Sequence, residues 1–372
     1  MKHLLMLVIA CSFSTAFATK ARLKALSNSL HLSGTQTVFV SPYHLMSLEN
    51  FVALEAGLTT STTVDNGAEG SVLMNVNSDS KLFFSVGHLD ESVQSQRKFV
   101  NGITGVTGYK TQQNPAEIIY GWKDGSTVWG LGTYYSNFNN KLTNEKESSA
   151  GLRLAASYGD IKWKANFGLV NSAVNTAGDQ LNGDVYFNLG LRYNQNAFRY
   201  GLDITTWNVS QTLNAGLAPN LSHGFQDINL RVVNVNKIEA GEFFMGAGLQ
   251  QVTVKDKQAD KKFNRTTLPL ILGAEAKAND WLVLRGSITQ TVLVAQSKDE
   301  VGYSAASLTG ASGVVDAEFS AEANNTAVAA GVGIVMNKVQ LDATLKGLTG
   351  TTANQNINGT DLLAQVGVVY KY

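Results

Sequence analysis

The fold class predicted is all-β: a transmembrane, antiparallel, up-and-down β-barrel of about 16 strands, preceded by a short N-terminal helical or plug segment. Three observations predict it. From about residue 50 onward, apolar and polar residues alternate in stretches of roughly ten, the period of a strand with two unlike faces. The connections between these stretches alternate between short and long, as in a barrel with tight turns at one rim and long loops at the other. Beyond the first residues, no run reaches the roughly 18 to 20 apolar residues that a spanning helix requires, so a membrane crossing has to be made by strands.

The elements follow in order. Residues 1–18 open on Met1, Lys2 and His3, continue as an apolar run from Leu4 to Ala10 and end on Ala16-Phe17-Ala18, the layout of an export signal peptide cleaved before Thr19. A lipoprotein box at Val8-Ile9-Ala10-Cys11 is the competing reading, and it leaves a shorter apolar region. Residues 19–46 place Leu23, Leu26 and Leu30 at helical spacing beside Arg22 and Lys24, which predicts a short amphipathic helix lying in the periplasm or plugging the lumen. Residues 47–372 are assigned to the barrel, with strands expected near 47–57, 71–77, 81–88, 116–122, 127–137, 148–158, 161–170, 184–193, 198–207, 225–236, 240–254, 266–277, 281–295, 326–336, 338–346 and 361–372. The first two are the least regular, and fourteen is the other even count.

The alternation is cleanest in the middle of the chain. Leu152, Leu154, Phe167, Leu189, Leu191 and Ile204 fall on one face of their strands, with Arg153, Asn166, Gly190 and Asp203 on the other. Short turns are read at 77–80, 123–126, 159–160, 194–197, 237–239, 278–280 and Asn337; long loops at 89–115, 208–224, 255–265, 296–325 and 347–360, and 171–184 is a further connection. Trp122, Tyr158, Trp163, Tyr193, Phe198, Tyr200 and Phe243 sit beside short turns on the apolar face, where they would form an aromatic girdle at one membrane edge.

At the end of the chain, Ala364, Val366, Val368, Tyr370 and Tyr372 share one face. This resembles the C-terminal signature of bacterial outer-membrane porin-type barrels, with Tyr in place of the commoner terminal Phe. The resemblance covers about residues 47–372 and implies that the barrel-assembly machinery reads Val366, Val368, Tyr370 and Tyr372. A second, narrower resemblance lies in Ala21-Arg22 to Leu26 followed by Thr35 to Pro42, which is similar to the start of fatty-acid-transporter-type barrels, whose N-terminal segment folds into the lumen. Ser41-Pro42 stands where those barrels have Asn-Pro.

Composition excludes several functions. The 29 Lys+Arg balance 29 Asp+Glu, which leaves no basic footprint for nucleic acid. The 1 cysteine, Cys11, falls in the signal peptide, so no disulfide, thiol chemistry or zinc–thiolate site is expected after cleavage. His3, His31, His44, His88 and His223 have no ligand or triad partner at an informative spacing, and no enzyme activity, metal or cofactor is expected. Gly331-Val332-Gly333 lies in a strand and reads as a bend or a narrow lumen position, not a nucleotide loop.

Parity then selects the residues that would line a pore. Arg153, Lys162, Lys164, Arg192, Arg199 and Arg231 form a basic wall against Asp203 and Asp227, while Glu275 and Asp342 also face inward. The function expected is an outer-membrane porin: a water-filled channel for small hydrophilic solutes and ions, with weak anion preference. The alternatives are a transporter of hydrophobic compounds with an N-terminal hatch, and a surface adhesin or receptor using loops 89–115 and 296–325. Outer-membrane lipid, the assembly machinery and, by analogy with 16-stranded porins, two further copies in a homotrimer are the partners expected.

Overall fold

The computed structural model describes residues 19–59, 68–104, 108–214, 221–258, 260–298, 325–349 and 363–372. The signal peptide, the lipoprotein box and most of connections 296–325 and 347–360 lie outside them. Seventeen strand segments follow: β1 (Phe51–Thr59), β2 (Glu69–Asn77), β3 (Ser80–Val86), β4 (Ala116–Asp124), β5 (Thr127–Asn140), β6 (Glu145–Tyr158), β7 (Ile161–Val174), β8 (Gln180–Gly183), β9 (Tyr186–Gln195), β10 (Phe198–Thr212), β11 (Leu221–Ile238), β12 (Gly241–Asp256), β13 (Lys261–Lys277), β14 (Leu282–Lys298), β15 (Asn325–Met336), β16 (Val339–Thr349) and β17 (Leu363–Lys371). β8 and β9 both lie between β7 and β10, so they are two halves of one barrel strand interrupted at Asp184 and Val185. Seventeen segments therefore make sixteen barrel strands, and β1 closes the sheet by pairing with both β2 and β17. The pairing is antiparallel throughout, and sixteen, not fourteen, is the count.

The membrane explains which side chains point out. Leu54, Ile118, Leu131, Leu152, Leu189, Leu191, Leu230, Leu249, Leu272 and Leu284 are exposed on the outer face, whereas Arg153, Asp203, Asp227 and Asp342 are buried on the inner one. A water-exposed barrel would have the reverse pattern; a lipid-facing one requires this. Aromatic rings band the rim of short turns: Trp122 lies between Tyr120 and Trp129 at centroid distances of 5.7 and 6.2 Å, Trp129 meets Trp163 at 5.9 Å, and Tyr200 stacks with Tyr193 and Phe198. Leu152→Arg and Leu189→Arg are each expected to cost about 2 to 4 kcal/mol of insertion near the midplane. The measurement is the folded fraction recovered in vesicles, with Arg199→Gln on the inner rim as control; equal recovery of all three would reverse the face assignment.

Toward the rim of long loops the hydropathy pattern inverts within single strands. In β10, Tyr200, Leu202 and Ile204 point out, but farther along Thr206, Asn208 and Ser210 take the outer face while Trp207 and Val209 turn inward, 1% exposed each. β11, β12 and β13 repeat this with inward Phe225, Val252, Val254 and Phe263. Above the bilayer the outer wall meets water, and the inner wall is packed, so the apolar phase changes sides. This corrects the expected loops. Most of 208–224, 255–265 and 171–184 is strand, because β10 and β11, β12 and β13, and β7 and β8 extend into them.

The packing partner inside is a helix. Connection 89–115 is not an outer loop but carries α2 (Glu91–Thr104), whose Phe99 and Val100 enter a buried cluster with Trp207, Phe225, Val254 and Phe263. Residues 19–50 also lie in the lumen, as α1 (Lys20–Ala25) followed by 3-10 turns at Thr37–Phe39 and Pro42–Ser47. The strand expected from residue 47 therefore begins only at Phe51, after a turn that Pro42 opens. Leu23, Leu26 and Leu32 pack on Val233, Val235, Phe244 and Ile271; Val38, Phe39 and Leu45 pack on Phe51, Leu73, Phe83 and Ile119. Gly130 and Gly331 are the inward positions where this segment comes closest: a Cβ would overlap Pro42 at the first and Ala25 at the second. The lumen expected to be water-filled is thus packed by these segments over much of its described length.

Candidate functional site

Registry divides the lumen wall into two arcs of opposite charge. On one, Glu69 lies opposite Glu55, Glu55 opposite Gly367, and Gly367 opposite Asp342; farther round, Glu275 lies opposite both Arg285 and Glu242. This acidic arc, from β12 through β14 and β16 to β2, receives Lys20, Arg22 and His31 of the N-terminal segment. Arg22 holds Glu275 through Nε at 2.7 Å and Nη2 at 3.0 Å, Lys20 pairs with Glu69, and His31 Nε2 lies 2.8 Å from Glu242. From the wall, Arg285 joins Glu275 and Asp342 at 2.5 and 2.6 Å. A buried carboxylate survives only with such partners, and several share one network here.

The second arc runs from β6 to β11. Lys162, Arg192 and Arg231 occupy one level of the wall, with Gly201 between the last two, and Lys164, Gly190 and Asp203 occupy the next. The Asp203 carboxylate takes Lys164 Nζ at 3.1 Å, Arg192 Nη2 at 2.6 Å and Arg231 Nη2 at 2.8 Å. Three cations around one carboxylate leave an excess of positive charge, and Lys162 and Arg199 extend it to the rim of short turns. Arg199 Nη1 donates to the carbonyls of Asn196 and Phe198 there.

α2 is anchored at its start and middle. Asp90 pairs with Arg153, whose Nε also meets Glu117 at 2.5 Å. Burial alone would raise the Asp90 carboxyl; the Arg153 guanidinium and the hydrogen bonds from Ser92 together outweigh it and hold the group below its ordinary value. Arg97, 1% exposed, donates to Asn171 Oδ1 at 2.9 Å and the Lys110 carbonyl at 2.7 Å and pairs with Glu147 at 3.2 Å. Gln96 donates to the Asp184 carbonyl at the break between β8 and β9, and a Cβ on the adjacent Gly183 would overlap its amide.

Between the N-terminal segment and the basic arc remains a cavity of about 670 Å³. Of the residues expected to line a pore, Arg153, Lys162, Lys164, Arg192, Arg199, Asp203 and Arg231 line it. Asp227, Glu275 and Asp342 face inward but not into it: Asp227 accepts from Gln250 at 2.9 Å, and the other two lie beneath the N-terminal segment. Parity found the basic side; it missed Glu55, Glu69, Glu117, Glu147 and Glu242. The same signal was available for Glu55, which alternates with Val52, Leu54 and Ala56. The described histidines serve packing or carboxylate pairing, as His88 does with Glu69 and the face of Phe39. Among the described residues no group of His, Cys, Asp and Glu is arranged to hold a metal ion. Val366, Val368, Tyr370 and Tyr372 share the outer face of the closing strand, where Tyr372 Oη also donates to the Leu73 carbonyl at 3.0 Å.

The fold and this interior define a membrane-spanning barrel with an occupied lumen. No protein-family model and no curated protein matches the chain. Among solved structures it is similar to a bacterial polysaccharide outer membrane secretin (10% identity, TM-score 0.46, 87% of this chain and 98% of that one). It is also similar to a Pseudomonas aeruginosa FadL homologue (9%, 0.41, 93% and 96%) and a TodX mutant described as a monoaromatic hydrocarbon channel (11%, 0.42, 97% and 100%). What those proteins secrete or conduct is theirs alone.

Proposed function

We propose that the protein is an outer-membrane channel with a resident lumen plug, whose cavity admits small anionic solutes from the rim of short turns. The observation that carries this reading is the cavity's lining, in which Lys162, Lys164, Arg192, Arg199, Arg231 and Arg153 outnumber the carboxylates of Asp203, Asp90 and Glu91. Charges of one sign on low-dielectric walls focus the field and raise the local concentration of counter-ions. Short turns face the periplasm in barrels of this kind, so the cavity is a periplasmic vestibule, and α2 with its apolar cluster covers the outer side.

The test is the reversal potential of the purified protein in planar bilayers under a KCl gradient. Anion preference is expected near 0.1 M salt, where the screening length is about 10 Å, and should fade toward 1 M, where it is about 3 Å. Lys162→Glu with Arg199→Glu should reverse it. These two are chosen because Lys164 is committed to Asp203. Cation preference in the unmodified protein, or an unchanged potential in the double variant, would sink the reading. A transporter of hydrophobic compounds is the second reading, favoured by residues 19–50 lying in the lumen as a hatch would. It requires uptake of an apolar fluorescent probe, which the charged lining argues against.

A further inference from the structure

One buried carboxylate on the acidic arc has no ion pair of its own among the described residues. Glu55 is 4% exposed and sits directly opposite Glu69 in the register of β1 and β2. Like charges placed so repel, and a buried carboxylate is costly unless a cation accompanies it. Lys20 is committed to Glu69, as is His88. Glu55 accepts from the Lys20 backbone amide at 2.5 Å, Thr35 Oγ1 at 2.9 Å and Gln36 Nε2 at 3.1 Å, all of them neutral donors.

The residue next to that amide is Thr19, the first after the Ala16-Phe17-Ala18 cleavage box. Thr19 is wholly buried; its Oγ1 donates to Asp342 Oδ2 at 2.8 Å and accepts from the Arg22 amide at 3.1 Å, capping α1. It rests on Gly367, the inward position between Glu55 and Asp342, where a Cβ would meet its side chain. Three covalent bonds, of summed length about 4.3 Å, separate the Thr19 nitrogen from the amide that Glu55 already accepts. That nitrogen is a neutral amide in the uncut chain.

We propose that export processing between Ala18 and Thr19 supplies the missing cation: the new α-ammonium of Thr19 docks against Glu55 and Asp342 and completes the seat of the plug. Hydrolysis by signal peptidase consumes one water, breaks the Ala18–Thr19 peptide bond, and leaves a carboxylate on Ala18 and an ammonium on Thr19. Removing the leader therefore adds one positive charge to the lumen where Lys20 pairs with only one of two facing glutamates. The inference is independent of what the channel conducts.

Intact mass of the protein from outer membranes should correspond to a chain beginning at Thr19; any other start overturns the proposal. With a reagent that acylates unprotonated amines near neutral pH, Thr19 in the folded protein should react at least about tenfold more slowly than in the urea-unfolded chain, the change that one unit of pKa gives. Equal rates overturn it. A cycle separates charge from packing: a Gly-Ser insertion before Thr19, placed to be processed at the insertion, should lower the urea midpoint, and Glu55→Gln should lower it in the unmodified chain yet raise it in the extended one. Additive losses would show a seat of packing alone. If the extended chain does not fold, the labelling rate of Thr19 in Glu55→Gln decides instead: faster than in the unmodified protein if the carboxylate holds the ammonium, unchanged if the seat is packing alone.

Discussion

Excising residues 19–48 from the processed chain is expected to convert a small, anion-preferring conductance into a several-fold larger one that prefers cations. The segment fills the lumen between the two arcs, and a 16-stranded wall without it encloses more space than its own side chains fill. The change of sign follows from charge. The segment carries Lys20, Arg22 and Lys24 and no Asp or Glu, so its loss removes three positive charges. It also uncovers Glu55, Glu69, Glu242 and Glu275, which then face water in the pore. Lys20→Glu with Arg22→Glu provides a version that keeps the chain length: each new carboxylate meets an acid already on the wall, and current should become larger and noisier. An unchanged conductance in both variants would mean that the segment does not block the path.

The barrel was legible in the sequence because lipid imposes a rule on every strand that crosses it. Leu152, Leu189 and Ile204 had to be apolar, Arg153, Gly190 and Asp203 had to be their opposites, and two residues such as Gly159-Asp160 suffice to turn the chain. Legibility ended where lipid ends. Beyond Ile204 the same strand continues with polar residues outside and Trp207 and Val209 inside, so it reads as a loop that happens to contain aromatics. α2 was hidden for a related reason. Its sequence around Gln94, Ser95, Gln96 and Arg97 is polar because it faces a polar wall, and nothing local distinguishes a helix in a lumen from one in water. The basic arc could be listed residue by residue, but its partners could not. That Asp203 gathers three cations, or that Arg22 reaches Glu275 across 253 positions of sequence, is a property of closure.

Arg153→Met is expected to be the most damaging single substitution in the basic arc. Arg153 is 6% exposed and binds two carboxylates, Asp90 at the entry to α2 and Glu117 on β4. Truncating one partner of a buried ion pair typically costs about 3 to 5 kcal/mol, because the charges left behind have neither water nor a counter-ion. The effect should be local before it is global. Asp90 accepts from the Ser92 amide at 2.9 Å and Ser92 meets Tyr134 Oη at 2.6 Å, so release of Asp90 frees the first turn of α2. Hydrogen exchange should therefore rise in residues 90–97 at urea concentrations where the strands remain protected, and the unfolding midpoint should fall. Adding Asp90→Asn and Glu117→Gln to Arg153→Met removes the stranded charges and should return most of the lost stability, since a neutral buried cluster of similar size carries no unmatched charge. If the triple variant is no more stable than Arg153→Met alone, the arginine acts by filling space, and the ion pairs do not hold α2 in the lumen.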